Sequence, residues 1–190
     1  PLAAEFASGS PTLVLDSRPG RGHMESAAVL ALLAGAARRR LWITNSYFAP
    51  RPRAVRLLGR VAGRGVDVRL LLPGPTDVPL LRHAGHGHFA ALLRRGVRLF
   101  EYRRSVLHAK TLAVDGRVAV VGSSNLDYRS FRFNAECNLV VLDPRAAARL
   151  EEAFAEDLES SEEITEPTWS RRGFAHRAGD RLARVLSPLL

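Results

Sequence analysis

The chain has 190 residues, of which 46% are hydrophobic, and a formal net charge of +9. This length can bury one good core but hardly two, so we expect a single domain. The single cysteine excludes an internal disulfide, and no apolar stretch approaches the ~20 residues that a membrane-spanning helix needs. The basic balance favours an anionic substrate or surface but does not choose among them.

Short β-branched apolar runs alternate with helical patterns along the chain, an order typical of an α/β layered domain. Strands are expected at residues 12–16, 41–47, 66–72 and 97–102, in a hairpin over 107–124, and at 138–142. Helices are expected at 23–39, 52–63, 78–95, 145–159 and 171–186. Because the strands are apolar on both faces, helices should cover both sides of a central mixed sheet, giving an α/β/α domain.

Three histidines lie close together in RHAGHGH, namely His83, His86 and His88. Their density resembles that of a metal site, but no Cys or carboxylate stands within the run, and zinc needs three or four ligands. We therefore expect no metal here. The histidines are predicted to lie in a loop or at a helix start bordering a substrate cleft.

Cys137 is the single cysteine, and its neighbours in the sequence are largely apolar. This surrounding predicts a thiol buried in the core rather than a reactive one.

The last segment, residues 166–190, is basic and amphipathic. Apolar residues recur at helical spacing among five arginines: Trp169, Phe174, Leu182, Val185, Leu186 and Leu189. This pattern fits a helix that lies on an anionic bilayer, and it fits equally a helix packed on its own domain.

Lys110 stands out because it is the one lysine among the 28 Lys and Arg residues. Beside His108, it suggests a site that needs a compact ammonium able to approach a phosphate-sized anion, where a guanidinium fork would not fit. Chance is the alternative explanation.

The segment around Lys110 is predicted to be a β-hairpin, since Asp115-Gly116 is a strong turn signal. A two-residue loop would place Lys110 opposite Val121 and His108 opposite Ser123. Residues two apart in a strand point to one face, so His108 and Lys110 should share a face.

With Asn125 one step diagonally on, the hairpin end combines an imidazole, a fixed positive charge, a hydroxyl and an amide. These are the groups that a phosphoryl group with charge on its oxygens requires. The alternative is a hydrogen-bonded histidine in the core next to a Gly-Ser turn. It would explain His108 alone or the turn alone, but not the four polar groups together.

The hairpin motif resembles the signature of the phospholipase D superfamily: His108-x-Lys110-x4-Asp115-x6-Gly122-Ser123-x-Asn125. Other segments resemble the C-terminal half of bacterial cardiolipin synthases: Asn125-Leu126-Asp127-x-Arg129-Ser130 with Asn134-x-Glu136, NSYFAP (45–50), RGVDVRLLLPGPTD (64–77) and RRGVRLFEYRRSVLHAK (94–110). The likeness runs from about Pro11 to the end of the chain. One departure is Asn45-Ser46, where such synthases more often have Thr-Pro.

The resemblance implies a phospholipase D-like domain that forms one half of a pseudo-two-fold bilobal enzyme, because the superfamily builds one active site from two signatures. A second His-x-Lys cannot occur here, since Lys110 is the only lysine. The other half is expected either upstream on the same protein or on a second copy in a homodimer. Residues 1–10 read as a linker, residues 11–165 as the catalytic half-domain and residues 166–190 as the tail.

The resemblance also implies roles for particular residues. One histidine attacks the phosphorus to give a phosphohistidine, and the histidine of the other half moves the alcohol's proton. Lys110 and Asn125 would hold the phosphate oxygens with help from Ser123, and Glu136 would orient His108 by accepting a hydrogen bond.

Two further assignments accompany these roles, and neither a metal nor another cofactor is implied. Asp115 belongs to the signature and so counts with the catalytic set, but its place at the turn predicts a structural role. Tyr47, with Phe48 after a strand end, would line an acyl or glycerol path. Core packing plus a turn is the simpler alternative.

Three functions follow as hypotheses. The first is a phosphatidyltransferase of the cardiolipin synthase type that acts on phosphatidylglycerol at the cytoplasmic side of a membrane. The second is a phosphodiesterase or nuclease working as a homodimer with water as acceptor. The third is a non-catalytic half that binds anionic lipid or nucleic acid. The synthase-like flanks and the amphipathic tail favour lipid.

Overall fold

One mixed β-sheet forms the centre of the molecule in a computed structural model that describes residues 9–19, 23–130 and 132–186. The strands are β1 (Thr12–Ser17), β2 (Arg40–Thr44), β3 (Asp67–Pro73), β4 (Arg98–Tyr102), β5 (Thr111–Val114), β6 (Val118–Gly122), β7 (Glu136–Val141) and β8 (Ser161–Ile164). The helices are α1 (His23–Ala36), α2 (Pro52–Ala62), α3 (Pro79–Leu93), α4 (Pro144–Glu159), α5 (Glu166–Ser170) and α6 (Phe174–Leu186).

The strand order is β1-β7-β6-β5-β2-β3-β4-β8. Strands β2, β3 and β4 are parallel, and α2 and α3 make the crossovers between them, whereas the other neighbours are antiparallel. Parallel neighbours need such crossovers because the chain must return to the same edge. The predicted mixed sheet is confirmed.

The core is organised by a row of side chains that crosses all eight strands. In sheet order its members are Leu13, Val140, Val120, Leu112, Ile43, Leu70, Leu99 and Ile164. All of them are buried except Leu13 on the edge strand, and they pack with residues of α1, α2 and α3 such as Ala34, Leu58 and Leu92. Helix α4 packs on the opposite face, where Phe154 contacts Leu71 and Phe100. Helices on both faces confirm the predicted α/β/α layering.

The hairpin register differs by one residue from the prediction. Val114 pairs with Val118, so three residues rather than two form the loop, and Lys110 lies opposite Gly122 rather than Val121. The Arg117 N–H still donates to the Val114 carbonyl at 2.9 Å, and Asp115 and Gly116 adopt the positive φ angles of a tight turn, 56° and 66°. Arg117 is therefore the extra residue that shifts the register. Strand β5 begins only at Thr111, so the prediction that His108 pairs with Ser123 is wrong.

Strand β8 was not predicted, because its sequence SEEI carries mostly acidic residues. It pairs with β4 at the edge of the sheet, where Arg98 binds Glu163 at 2.8 Å and Arg103 binds Glu162 at 2.5 Å. Cross-strand ion pairs of this kind replace the apolar contacts that a sequence pattern would reveal.

The prediction of a buried thiol is wrong, since Cys137 is exposed. Side chains alternate along β7, so that Glu136, Asn138 and Val140 are buried while Cys137 and Leu139 face outward. Apolar neighbours in sequence therefore do not share the environment of Cys137.

The C-terminal tail packs on its own domain. Helix α6 contacts α3 and buries Asp180 and Ala183, whereas Leu182 and Val185 are exposed. The side chains of Phe174 and Leu186, Leu189 itself and most of the predicted linker (residues 1–8) lie outside the described residues. Among the described helices, none is long and apolar enough to cross a membrane.

Candidate active site

Lys110 is held by polar groups from two segments. Its Nζ donates to Ser46 Oγ at 2.9 Å and to the carbonyl oxygen of His108 at 3.1 Å, and it lies 6.0 Å from the centre of the Tyr47 ring. Ser46 in turn donates to the carbonyl of Ala109 at 3.2 Å. The ammonium is therefore positioned before any anion binds.

His108 is exposed, so its imidazole is accessible from solvent. Its ring packs edge-on against Tyr47, with 5.8 Å between the ring centres. The Tyr47 hydroxyl donates to the Asp77 carboxylate at 2.8 Å, and this bond, together with burial, raises the pKa of Tyr47. The Tyr47 ring is thus held in place next to both His108 and Lys110.

The loop after β2 joins the His-Lys segment to the Ser-Asn segment. The Tyr47 backbone N–H donates to Asn125 Oδ1 at 3.3 Å, and the Leu126 N–H donates to Asn45 Oδ1 at 2.9 Å. Asn45 Nδ2 also donates to the Ser124 carbonyl at 3.4 Å. Asn45 and Asn125 are both buried, so these bonds fix the two segments relative to each other.

Glu136 is buried at the start of β7 and accepts hydrogen bonds from Ser123 Oγ at 2.5 Å and from Asn134 Nδ2 at 3.3 Å. Ser123 Oγ also accepts from the Cys137 N–H at 2.9 Å. In the part of the chain that the structure describes, no hydrogen bond joins Glu136 to His108. The geometry therefore gives this carboxylate a partner, Ser123, that the sequence did not suggest.

Carboxylates surround the lysine. Burial lowers the pKa of Lys110, while Glu136, Asp127 and Asp77 act in the opposite direction by attracting the ammonium. Burial raises the pKa of Asp127, against the hydrogen bond that its carboxylate accepts from the Ser130 N–H at 2.7 Å, and the charge of Glu136 raises it further. An anion that binds Lys110 would therefore meet a cation already attracted by acidic groups.

Gly122 is required by close packing at the hairpin end. A Cβ atom there would lie 2.2 Å from Asn138 Oδ1, a buried amide that also accepts from the Ser124 N–H at 3.4 Å. Asn138 Nδ2 donates to Ser124 Oγ at 2.7 Å. A larger residue would push β6 away from β7 and displace the Ser123–Asn125 segment.

Asp115 lies at the far end of β5 from Lys110, at a separation of about 16 Å for five strand residues. Its carboxylate accepts the backbone N–H groups of Arg38, Arg39 and Arg40 at 2.8–2.9 Å. Burial acts to raise the pKa of Asp115, but these three donors outweigh it and lower the pKa. The geometry therefore supports a structural role for Asp115 and none in contact with substrate.

Comparison with known families bears on this set of residues. A family model described as "Cardiolipin synthase, PLD-like domain" matches residues 30–158, which include every site residue named above. The chain belongs to this family. Membership follows because the match covers well over half of the chain.

Two curated members of the cardiolipin synthase family show the extent of the likeness. The cardiolipin synthase of Alkalihalophilus pseudofirmus is 36% identical over 154 residues, which are 81% of this chain and 31% of that protein. That of Geobacillus kaustophilus is 32% identical over 190 residues, which are 100% of this chain and 38% of that protein. The chain therefore spans about a third of the length of these relatives.

Solved structures share the fold at low identity. The phospholipase D family member Nuc from Salmonella typhimurium has a TM-score of 0.73 and 18% identity, over 83% of this chain and 100% of that one. A phosphatidylserine synthase from Haemophilus influenzae has a TM-score of 0.72 and 16% identity, over 94% of this chain and 48% of that one. At this identity the likeness concerns the fold alone.

In this cardiolipin synthase family chain, the sequence patterns do not predict four residues that organise the site: Asn45, Ser46, Asp77 and Asn138. Asn45-Ser46 stands out in the sequence only as a departure from Thr-Pro. Their position after a strand could have indicated the first two, because polar residues directly after a parallel strand lie at the edge of the sheet where ligands bind. Asp77 lies four residues beyond the end of β3, in the loop at the same edge.

Proposed function

We propose that this chain is one half of a phosphatidyltransferase of the cardiolipin synthase type. The enzyme would move a phosphatidyl group from one phosphatidylglycerol to a free hydroxyl of another and release glycerol. The observation that carries the proposal is that a single family match covers His108, Lys110 and the Ser46 loop that positions Lys110. No metal or other cofactor takes part in this chemistry.

The reaction would run in two displacements. An active-site histidine nitrogen forms a bond to phosphorus as the bond to the glycerol oxygen breaks, and the departing alkoxide takes a proton from the histidine of the other half. The incoming hydroxyl then gives its proton back to that histidine as it displaces the phosphohistidine. The exposure of His108 suits either role.

Charge on the phosphate oxygens would be met by Lys110 and Asn125, with Ser123 beside them. Tyr47 would line the path of the glycerol or acyl groups, since its ring lies against His108. Glu136 would support the imidazolium of His108 through its charge, because its hydrogen bonds in this structure go to Ser123 and Asn134.

An exposed apolar row supports the presence of a second half. Val14, Leu139 and Val121 are paired in register across three strands and so share one face of the sheet, yet they are 61%, 40% and 48% exposed. This row ends at Val121, two residues before Ser123 in the chain. A second half-domain, upstream on the same protein or on another copy of the chain, would cover it and bring a second histidine to the site.

Contact with a membrane is proposed for the outer face of α6. Leu182 and Val185 lie one turn apart and are 64% and 71% exposed, and Arg181 beside them is exposed too. Apolar residues flanked by arginine suit the surface of an anionic bilayer. The enzyme would then act as a peripheral protein at the cytoplasmic side.

A phosphodiesterase or nuclease working as a homodimer is the second candidate. The observation that favours it is that this fold matches 100% of the Nuc chain, so a single domain of this kind can make up a whole protein chain. Water would then take the place of the acceptor alcohol. A non-catalytic half that binds anionic lipid or nucleic acid is the third candidate.

The test is turnover of labelled phosphatidylglycerol in vesicles by the chain alone and after mixing with a second half. We expect no turnover by a monomer and recovery on mixing, with His108→Ala inactive in the mixture by orders of magnitude. His176→Ala, a change at an exposed histidine of α6, is the matched control and should retain activity. Robust turnover by a monomer confirmed by sedimentation would refute the half-enzyme.

A further inference from the structure

A cluster of metal-ligating side chains lies between α3 and α6, outside the proposed chemistry. His83 Nδ1 is 2.8 Å from Asp180 Oδ1, and His86 Nδ1 is 3.8 Å from the same oxygen. Ligand atoms of the three residues all lie within 4.8 Å of one another. The three side chains thus converge on one point.

This cluster could not be recognised from the sequence. No carboxylate stands within RHAGHGH, and Asp180 is 97 residues beyond His83. The three histidines lie in the middle of α3 rather than in a loop or at a helix start, and His86 and His88 are buried. The folded chain brings the missing carboxylate to them because α6 packs along α3.

His86 is oriented as histidine ligands of metals usually are. Its Nε2 is 2.9 Å from Glu101 Oε1, and Glu101 is buried and held ionised by Arg82 at 2.8 Å and Arg103 at 3.0 Å. The Glu101 carboxylate accepts a hydrogen bond from Nε2–H, so the proton stays on Nε2 and the lone pair of Nδ1 is directed at the cluster. At 3.8 Å, that Nδ1 is beyond hydrogen-bond distance from Asp180.

Asp180 is oriented as well. Its Oδ2 pairs with Arg172 at 2.9 Å, which leaves Oδ1 to face the two histidines, and the side chain is only 4% exposed. Two acceptor atoms on buried side chains, His86 Nδ1 and Asp180 Oδ1, therefore face each other. A cation bound between these two acceptor atoms would satisfy both lone pairs.

We propose that this cluster binds a divalent zinc ion through His83 Nδ1, His86 Nδ1 and Asp180 Oδ1. Zinc prefers nitrogen and oxygen ligands at about 2.0–2.2 Å in a tetrahedral set, which places neighbouring ligand atoms about 3.3 Å apart. The observed separations of 2.8 and 3.8 Å lie on either side of that value. His83 binds as the neutral imidazole, in which Nδ1 has passed its proton to solvent and Nε2 carries the remaining ring proton, and a water takes the fourth position.

The positions of the three ligands indicate how zinc would enter the site and how its binding would affect the packing of α6 on α3. The His83 side chain is 44% exposed, so zinc can enter from solvent on that side. The helices already approach closely at Gly87, where a Cβ would lie 3.0 Å from the Asp180 carbonyl oxygen. Zinc would therefore fasten the C-terminal helix, whose outer face we assign to the membrane, to α3.

The experiment is a titration of the EDTA-dialysed chain with zinc chloride by calorimetry, with Co²⁺ as a spectroscopic probe. We expect one ion per chain, a visible Co²⁺ band typical of tetrahedral coordination, and a higher Tm with zinc. Asp180→Asn and His83→Ala should each lower the affinity at least about 10-fold. His176→Ala removes a histidine of α6 that is not in the cluster and should keep the parent affinity.

Each outcome decides the proposal. If Asp180→Asn does not fold, because Arg172 then lacks its partner, His83→Ala still tests it, since that side chain is half exposed. Zinc binding of equal affinity in the parent and in His83→Ala would overturn the proposal. So would the absence of both binding heat and the Co²⁺ band in the parent chain.

Discussion

The ammonium of Lys110 lies 2.9 Å from the hydroxyl of Ser46, a residue 64 positions earlier in the chain. The one lysine of an arginine-rich chain is therefore held by a short polar side chain at the end of a neighbouring strand. A guanidinium is broader and planar, so it cannot make with the same geometry the contacts of the ammonium with Ser46, the His108 carbonyl and Tyr47.

Lys110→Arg should therefore lower kcat of the assembled enzyme by about 10²-fold or more, the loss typical of a misplaced group that stabilises charge in the transition state. The positive charge is kept, so a smaller effect on KM is expected. Steady-state kinetics on phosphatidylglycerol vesicles measure both constants. Arg104→Lys, the reverse exchange at an exposed position, is the control and should change neither. Full activity of Lys110→Arg would contradict the idea that the site needs a compact ammonium.

Glu136→Gln should cut the rate at least about 10²-fold, because a neutral amide supports an imidazolium less well than a carboxylate does. Substrate binding should change little, since Lys110 and Asn125 are the proposed phosphate ligands. A pH–rate profile of both proteins is the measurement.

Ser123→Ala provides the comparison for Glu136, because it removes the 2.5 Å hydrogen bond but keeps the charge. We expect it to cost less than Glu136→Gln. Equal losses in the two variants would show that the hydrogen bond, and not the charge, is what matters.

Asp115→Asn should reduce the free energy of unfolding by about 1–3 kcal/mol at pH 7, since an ionised acceptor of three backbone N–H groups becomes neutral. The folded state lowers the pKa of Asp115, so its stabilisation is present above the ordinary value of about 3.9 and is lost as pH falls through the folded value. The difference between parent and variant should thus shrink in acid.

Urea unfolding of the parent and Asp115→Asn at neutral and acidic pH measures this difference. Glu152→Gln changes an exposed carboxyl and should leave stability nearly unchanged. A destabilisation of Asp115→Asn that stays constant with pH would show that lost charge is not its cause.

Leu139→Asp should weaken association with the second half at least about 10-fold, because it places a charge in the middle of the exposed apolar row. The Tm of the isolated chain should hardly change, since Leu139 is exposed there. Sedimentation velocity with and without the second half measures the association. Leu32→Asp is the control, because Leu32 is 71% exposed but lies on α1. Unchanged association of Leu139→Asp would mean that this face is not the interface.

Most elements of the fold could be predicted from the sequence, because apolar periodicity is a local property. Strands β2, β3 and β4 and helices α2, α3 and α4 each begin within one residue of the prediction. Strand β8 was not predicted, because ion pairs to β4 rather than apolar side chains hold it in the sheet.

The amino-acid sequence by itself determined the alternation of strands and helices, the lone lysine beside His108 and the resemblance carried by the hairpin motif. The tertiary structure decided which residues meet. It set the hairpin register, in which Arg117 is an extra residue before the pair Val114 and Val118. It also brought Ser46 to Lys110 and Asp180 to His83. These contacts join residues 64 and 97 positions apart, and they depend on how crossovers and helices pack, which no local pattern records.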